Sequence, residues 1–183
     1  MIKDKFIILS GAPGSGKSTI LKQLRARGFS CIDEPARQII AEQRLIRGAG
    51  VSDENPELFI DLMLSRAIGK YQDTESKDRA IFFDRGVPDY IAYAFLYDLE
   101  FGRGWKAASE YRYNPTVFFT PNWEDIYVTD EERTMSFEAS AKMGDRLREI
   151  YVKNQYNVVD IPCGLPEERV AFILSSLPKN LLG

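Results

Sequence analysis

The sequence predicts an α/β domain built on a parallel sheet, and three observations carry that reading. Five short runs rich in Ile, Val and Phe recur along the 183 residues, helical patterns separate them, and a glycine-rich stretch joins the first run to the first helix. Apolar runs of four or five residues, bounded by turn residues, suit strands covered on both faces, and their alternation with helices implies βαβ units.

The first strand spans residues 6–10 and runs into "GAPGSGKST". This stretch fits the frame G-x-x-x-x-G-K-S, with Gly11, Gly16, Lys17 and Ser18 in its fixed positions and Ala12, Pro13, Gly14 and Ser15 between the outer glycines. Glycines permit backbone angles that let successive N–H groups turn inward and form an anion nest. Lys17 opens the helix, where its charge adds to the positive end of the helix dipole and reaches for the β and γ phosphates. It is expected to face solvent until phosphate arrives. Ser18 offers a hydroxyl to Mg²⁺, an ion that takes few protein ligands. Residues 11–19, ending at Thr19, are therefore a candidate ATP-phosphate cradle.

The helix after the loop carries Leu21 and Leu24 on one face and stops at Gly28. The second strand, 30–33, leads into "DEPAR". Glu34 precedes a proline, which biases it toward an extended conformation at the strand end. There it reads as a general base for an attacking hydroxyl or as a structural carboxylate. Arg37, one turn into the next helix, reads as an acceptor contact or as a solvated residue. That helix carries Ile39, Ile40 and Ile46 and is closed by Gly48 and Gly50. Asn55 and Pro56 then supply an N-cap and a first helical residue ahead of Phe59, Leu62, Met63 and Ala67.

The third strand, 80–84, closes on Asp84, followed at once by Arg85. Ligands gather at the carboxyl ends of parallel strands, so both are candidate site residues. Asp84 reads as a Mg²⁺ carboxylate or as a cap on "GVPDY". Arg85 reads as a contact to a phosphate or sugar hydroxyl, or as a surface arginine paired with a carboxylate. After the fourth strand, 116–120, a long connection at 121–134 holds Trp123, Tyr127 and Arg133 and has the length of a lid. Arg133 is its one basic residue, placed to meet developing charge on a transferred phosphate or to begin the helix that carries Phe137 and Leu147. The fifth strand, 157–161, precedes a last helix opened by Pro166, with Val170, Ile173, Leu174 and Leu177 as its apolar stripe.

Length and composition bound the rest. The chain suits one domain, 1–183, with no linker or repeat to divide it. Its net charge of −3 disfavours an extended nucleic-acid footprint. It contains no histidine, which excludes His-based acid–base catalysis, Ser–His–Asp triads and histidine metal sites. Cys31 and Cys163 form no C-x-x-C pair and read as small buried residues in a reducing compartment. The apolar run after "MIKDK" is too short for a signal peptide, and no segment has the length of a membrane span, so a cytoplasmic location is expected.

"GAPGSGKST", "DEPAR", "FFDRGVPD", "PNWEDIYVTDEER" and "VVDIPCGLPEERVAFI" together resemble the small P-loop kinase-type ATPases, an AAA-type ATPase domain family that includes the ribosylnicotinamide kinase domain. The Glu34–Pro35 and Asp84–Arg85 pairs are also similar to those of deoxynucleoside and thymidylate kinases. The resemblance implies a P-loop NTPase fold of nucleoside or nucleotide kinase type, a three-layer sandwich whose five-stranded parallel sheet has the order 2-3-1-4-5. It implies Glu34 in the base position, Asp84 as a metal-linked carboxylate, Arg85 as a substrate contact, and residues 161–166 beside the adenine ring. Thymidylate kinases place an arginine before the Glu-Pro pair and glycines after it, where this chain has Asp33 and Ala36.

The expected function is ATP- and Mg²⁺-dependent phosphoryl transfer to a small acceptor, a nucleoside, nucleotide or related metabolite, with the acceptor pocket in helices two and three at about 36–72. An ATP-switched regulatory module with a protein partner, or a polynucleotide 5′-hydroxyl kinase, are the competing readings. No N-K-x-D signature is present, which disfavours a GTPase.

Overall fold

The computed structural model describes residues 2–75, 78–128 and 135–183. Five parallel strands form one sheet: β1 (Phe6–Gly11), β2 (Ser30–Ile32), β3 (Ile81–Asp84), β4 (Thr116–Thr120) and β5 (Asn157–Asp160). They lie in the order β2-β3-β1-β4-β5, as expected. The register sets Leu9 opposite Asp84 and Gly11 opposite Thr120, so the loop after β1 emerges between the ends of β3 and β4. A side chain at Gly11 could not exist there, because its Cβ would overlap the Thr120 main chain and hydroxyl.

Successive residues of a strand face opposite sides of the sheet, and β1 divides its side chains between two cores. Ile7 and Leu9 join Phe82 and Phe118 against α1 (Lys17–Ala26) and α7 (Pro166–Ser176). Phe6 and Ile8 join Phe83, Val117 and Phe119 against α3 (Pro56–Asp73), α4 (Val87–Phe95), α5 (Gly102–Glu110) and α6 (Phe137–Lys153). All of β1 is buried, which is why it reads as an unbroken apolar run.

The helix ends follow the expected chemistry with one exception. The Asn55 carboxamide oxygen accepts from the Leu58 N–H at 3.0 Å, and Pro56 opens α3. Pro166 opens α7, where the Glu168 carboxylate accepts from the Leu165 N–H at 3.0 Å. At the end of α2 (Ala36–Ile46), Arg47 rather than Gly48 takes the left-handed conformation, φ 55°. Ile46, expected on the apolar stripe of this helix, is exposed.

The cysteines also differ from expectation. Cys31 is half-buried and Cys163, in the loop after β5, is exposed. No helix among the described residues is long and apolar enough to cross a membrane.

Candidate active site

The carboxyl ends of β1, β2 and β3 open into one cavity of about 1240 Å³. Lys17, Ser18, Glu34, Arg37, Asp84 and Arg85 all line it. Pro13, Gly14, Gly16 and Thr19 line it as well, while Gly11, Ala12 and Ser15 lie buried beneath. Arg133, the remaining candidate, lies outside the described residues, as do residues 129–134 of the 121–134 segment.

The phosphate loop is braced from below. Ser15 Oγ donates to the Ala12 carbonyl at 2.6 Å and lies 2.5 Å from Thr120 Oγ1, which is 3.1 Å from the Ser10 carbonyl. Ser140, on α6, donates to the Pro13 carbonyl at 2.8 Å. Gly14 and Gly16 adopt φ of 79° and 86°, conformations that favour glycine.

Lys17 does not face solvent. It is 7% exposed, and its ammonium folds back to donate to the Gly11 and Ala12 carbonyls at 3.0 and 2.9 Å. An uncovered loop has few other partners for a lysine, and its own carbonyls satisfy the charge. Burial, and then the nearby Arg85 guanidinium, lower the Lys17 pKa to about 7.

Asp84 ends β3 with its Oδ1 buried and, among the described residues, without a hydrogen-bond partner. Burial, and then the Glu34 carboxylate, push its pKa up to about 6. The capping alternative for Asp84 is corrected: Asp89, one turn into the helix, accepts from the Gly86 N–H at 2.8 Å and caps α4. Residue 89 is the right distance along the chain to turn back, whereas residue 84 is still in the strand.

Arg85 is paired with carboxylates, yet it is not a surface residue, its side chain being 3% exposed. Its Nη1 donates to the Gly11 carbonyl at 3.1 Å and to Asp89 Oδ1 at 3.0 Å. Its Nε lies 2.9 Å from Glu34 Oε1, close enough for an ion pair although the N–H is not aimed at the oxygen. The residue holds φ 71°, unfavourable for an arginine and maintained by these contacts.

Glu34 stands at the mouth of β2, with its side chain 22% exposed. Tyr93, on α4, donates its hydroxyl to Glu34 Oε1 at 3.2 Å, and its ring lies 5.4 Å from the Arg85 guanidinium. Both contacts to Glu34 fall on the same oxygen. Beyond it, Arg37 and Gln38 of α2 and Lys70 of α3 line the far end of the cavity, with Lys70 donating to the Asp33 carbonyl at 2.8 Å.

The sequence reading passed over Asp89, Tyr93 and Arg169. Asp89 has no exposure and Arg169 has 3%. Arg169 donates from Nη1 and Nη2 to the Ser15 carbonyl at 3.1 and 3.2 Å, beneath the Trp123 ring at 5.4 Å. Neither Asp89 nor Arg169 stood out in the sequence, because the contacts that bury them come from distant segments.

The chain matches the model of a family described as an AAA domain over residues 6–169. Its fold is similar to that of NadR protein, solved in complex with NR, with a TM-score of 0.71, 18% identity, and 94% of this chain and 50% of that chain covered. This chain thus spans half the length of that one. It is also similar to a deoxyadenosine kinase from M. mycoides (TM-score 0.62, 14% identity, 96% and 97% covered) and to the shikimate kinase of Aquifex aeolicus (TM-score 0.55, 15% identity, 96% and 95% covered). No curated protein matches it in sequence.

Proposed function

The chain belongs to the AAA-domain family and has the fold of the small P-loop kinases, and on that premise we propose that it transfers the γ-phosphoryl group of ATP, with Mg²⁺, to a hydroxyl of a small molecule. Family and fold are those of an ATP-dependent kinase or ATPase. The acceptor class is a nucleoside, nucleotide or related metabolite. One observation carries transfer over bare hydrolysis: the cavity does not end at the phosphate loop. At about 1240 Å³ it exceeds the roughly 300–1,000 Å³ of a usual single-ligand pocket, and it continues past Glu34 to Arg37, Gln38 and Lys70. That room supports an acceptor beside the nucleotide, which an ATP switch does not need.

In this reading Lys17 leaves the Gly11 and Ala12 carbonyls for the β and γ phosphates, whose negative charge favours its protonated form. Ser18 and Asp84 suit Mg²⁺. Both offer hard oxygens, and Asp84 Oδ1 is buried without a partner among the described residues. Among the described residues no cluster of three or more carboxylates or thiols surrounds them, which accords with an ion that keeps several waters. When bound, the ion neutralises charge on the phosphates. Glu34 uses the oxygen that Arg85 and Tyr93 leave open to accept the proton of the acceptor hydroxyl. The acceptor oxygen bonds to the γ-phosphorus, the bond to the bridging oxygen breaks, and ADP leaves. Arg85 and Arg37 hold the acceptor, and Arg133 meets charge on the transferred group. Residues 161–166 pass the adenine, and 121–134 close over it. The 183 residues act as one unit, with 36–72 as the acceptor side.

The test is a panel of nucleosides, nucleotides and other metabolites carrying hydroxyls, assayed for γ-phosphoryl transfer beside basal hydrolysis. Transfer to one class well above hydrolysis is the expected result. Hydrolysis alone, rising only when a protein is added, overturns it in favour of a regulatory ATPase.

A further inference from the structure

Arg169 lies outside the G-x-x-x-x-G-K-S frame and at no strand mouth, yet its guanidinium rests against the phosphate loop. It projects from the first half of α7, nearly all of its surface buried, with both Nη atoms on the Ser15 carbonyl and, among the described residues, Nε without a hydrogen-bond partner. None of the ion pairs among those residues involves it. Among the described residues its company is the Ser15 carbonyl and, 5.4 Å away, the Trp123 ring, and a buried cation so placed is costly unless a counter-charge is supplied. It also lines the cavity, on the side of Gly16.

The geometry of one peptide group links this cation to phosphate. The Ser15 carbonyl and the Gly16 N–H belong to the same planar unit and point in opposite directions. A guanidinium that pins the carbonyl fixes the direction of the N–H and polarises it as a donor. Arg169 approaches so closely that a Cβ on Gly16 would lie 2.6 Å from Nη1, and Gly16 holds φ 86°. Two requirements, the left-handed backbone and room for the guanidinium, thus meet in one glycine.

We propose that Arg169 is a positioning residue of the phosphate site: it fixes and polarises the Ser15–Gly16 peptide and adds a buried positive charge that bound phosphate neutralises. The inference rests on the reading of this loop as a triphosphate site.

The experiment uses the full chain, with Arg169→Met, which keeps an apolar stem beneath Trp123, and Arg169→Lys, which can still donate to the Ser15 carbonyl. The imido analogue of ATP and inorganic tripolyphosphate, each with Mg²⁺, are titrated by calorimetry, and the Gly16 amide resonance is followed in the ligand-free protein. Arg169→Met is expected to weaken both ligands by a common factor of about tenfold or more, the scale of one hydrogen bond to a charged group. It should also shift the Gly16 resonance, and Arg169→Lys should recover part of both effects. A loss confined to the nucleotide, sparing tripolyphosphate, assigns Arg169 to the base and overturns the inference. Unchanged affinities with lowered thermal stability also overturn it, leaving a packing role. If the parent and Lys17→Ala bind the nucleotide alike, the triphosphate reading has failed and the inference with it, an outcome visible without any change at Arg169.

Discussion

The Ser10 hydroxyl donates to Asp89 Oδ1 at 2.7 Å, joining the central strand to the first turn of α4 through a carboxylate with no exposure. The same carboxylate accepts from Arg85 Nη1, from the Gly86 N–H and from the Tyr151 hydroxyl. Asp89→Asn turns one acceptor into a donor among donors and removes the charge facing Arg85. It should cost about 3–5 kcal/mol, the scale of a buried ion pair deprived of one partner. A urea midpoint equal to the parent's would show that Arg85 is held by other means.

Lys17→Ala tests the loop. Saturating Mg-ATP at a hundred times its dissociation constant should stabilise the parent by about 2.7 kcal/mol and the variant not at all. Without nucleotide the two should agree within about 1 kcal/mol, because the lost hydrogen bonds to Gly11 and Ala12 are offset by a charge no longer buried. Thermal melts with and without nucleotide read both values, and equal stabilisation of the two proteins would remove Lys17 from the phosphate site.

Glu34→Gln separates transfer from hydrolysis. The amide keeps the size and the contact to the Tyr93 hydroxyl but accepts no proton. Transfer to the acceptor should fall about 10²–10⁴-fold while nucleotide binding and slow hydrolysis persist. Equal loss of both activities, or of neither, would rule out an acceptor-specific base.

Asp84 gives the ligand-free protein a pH dependence of known sign. Its pKa rises from 3.8 to about 6 on folding, so between those values the folded state holds the proton more tightly. Raising the pH through that window releases the proton and lowers stability. Asp84→Asn removes the penalty: its stability should match the parent's near pH 4 and exceed it above pH 6, by on the order of 1–3 kcal/mol. Thermal melts across the range check this, and parallel curves for the two proteins would contradict it. Mg²⁺ binding should weaken in the same variant.

Much of the fold was legible because its signals are local. The runs that became β1 and β3 are mainly apolar, and the loop is a fixed frame, so the residues at their ends could be placed in one cavity by topology alone. What stayed hidden depends on contacts across the chain. Asp89 looks like any polar residue early in a helix until Ser10 and Tyr151, 79 and 62 residues away, enclose it. Arg169 follows two glutamates and shares their spacing, and only the nearness of Ser15, 154 residues before it, sets it apart. Lys17 was expected to point outward because its spacing reports the presence of a charge and not where the loop carbonyls hold it. The paired helices α4 and α5 carried no capping signal strong enough to separate them in advance, and they form much of the core on one side of the sheet.

The position of β1 in the middle of the sheet has a bearing on how the protein is made. It is translated before its two neighbours, β3 and β4, so it gains its second edge only once residue 120 has been translated. Tyr151 and Arg169 join later still. Until then the nascent chain exposes a largely apolar strand followed by an unbraced glycine loop, and a chaperone has most to shield there. A segment made before its partners becomes competent only after them.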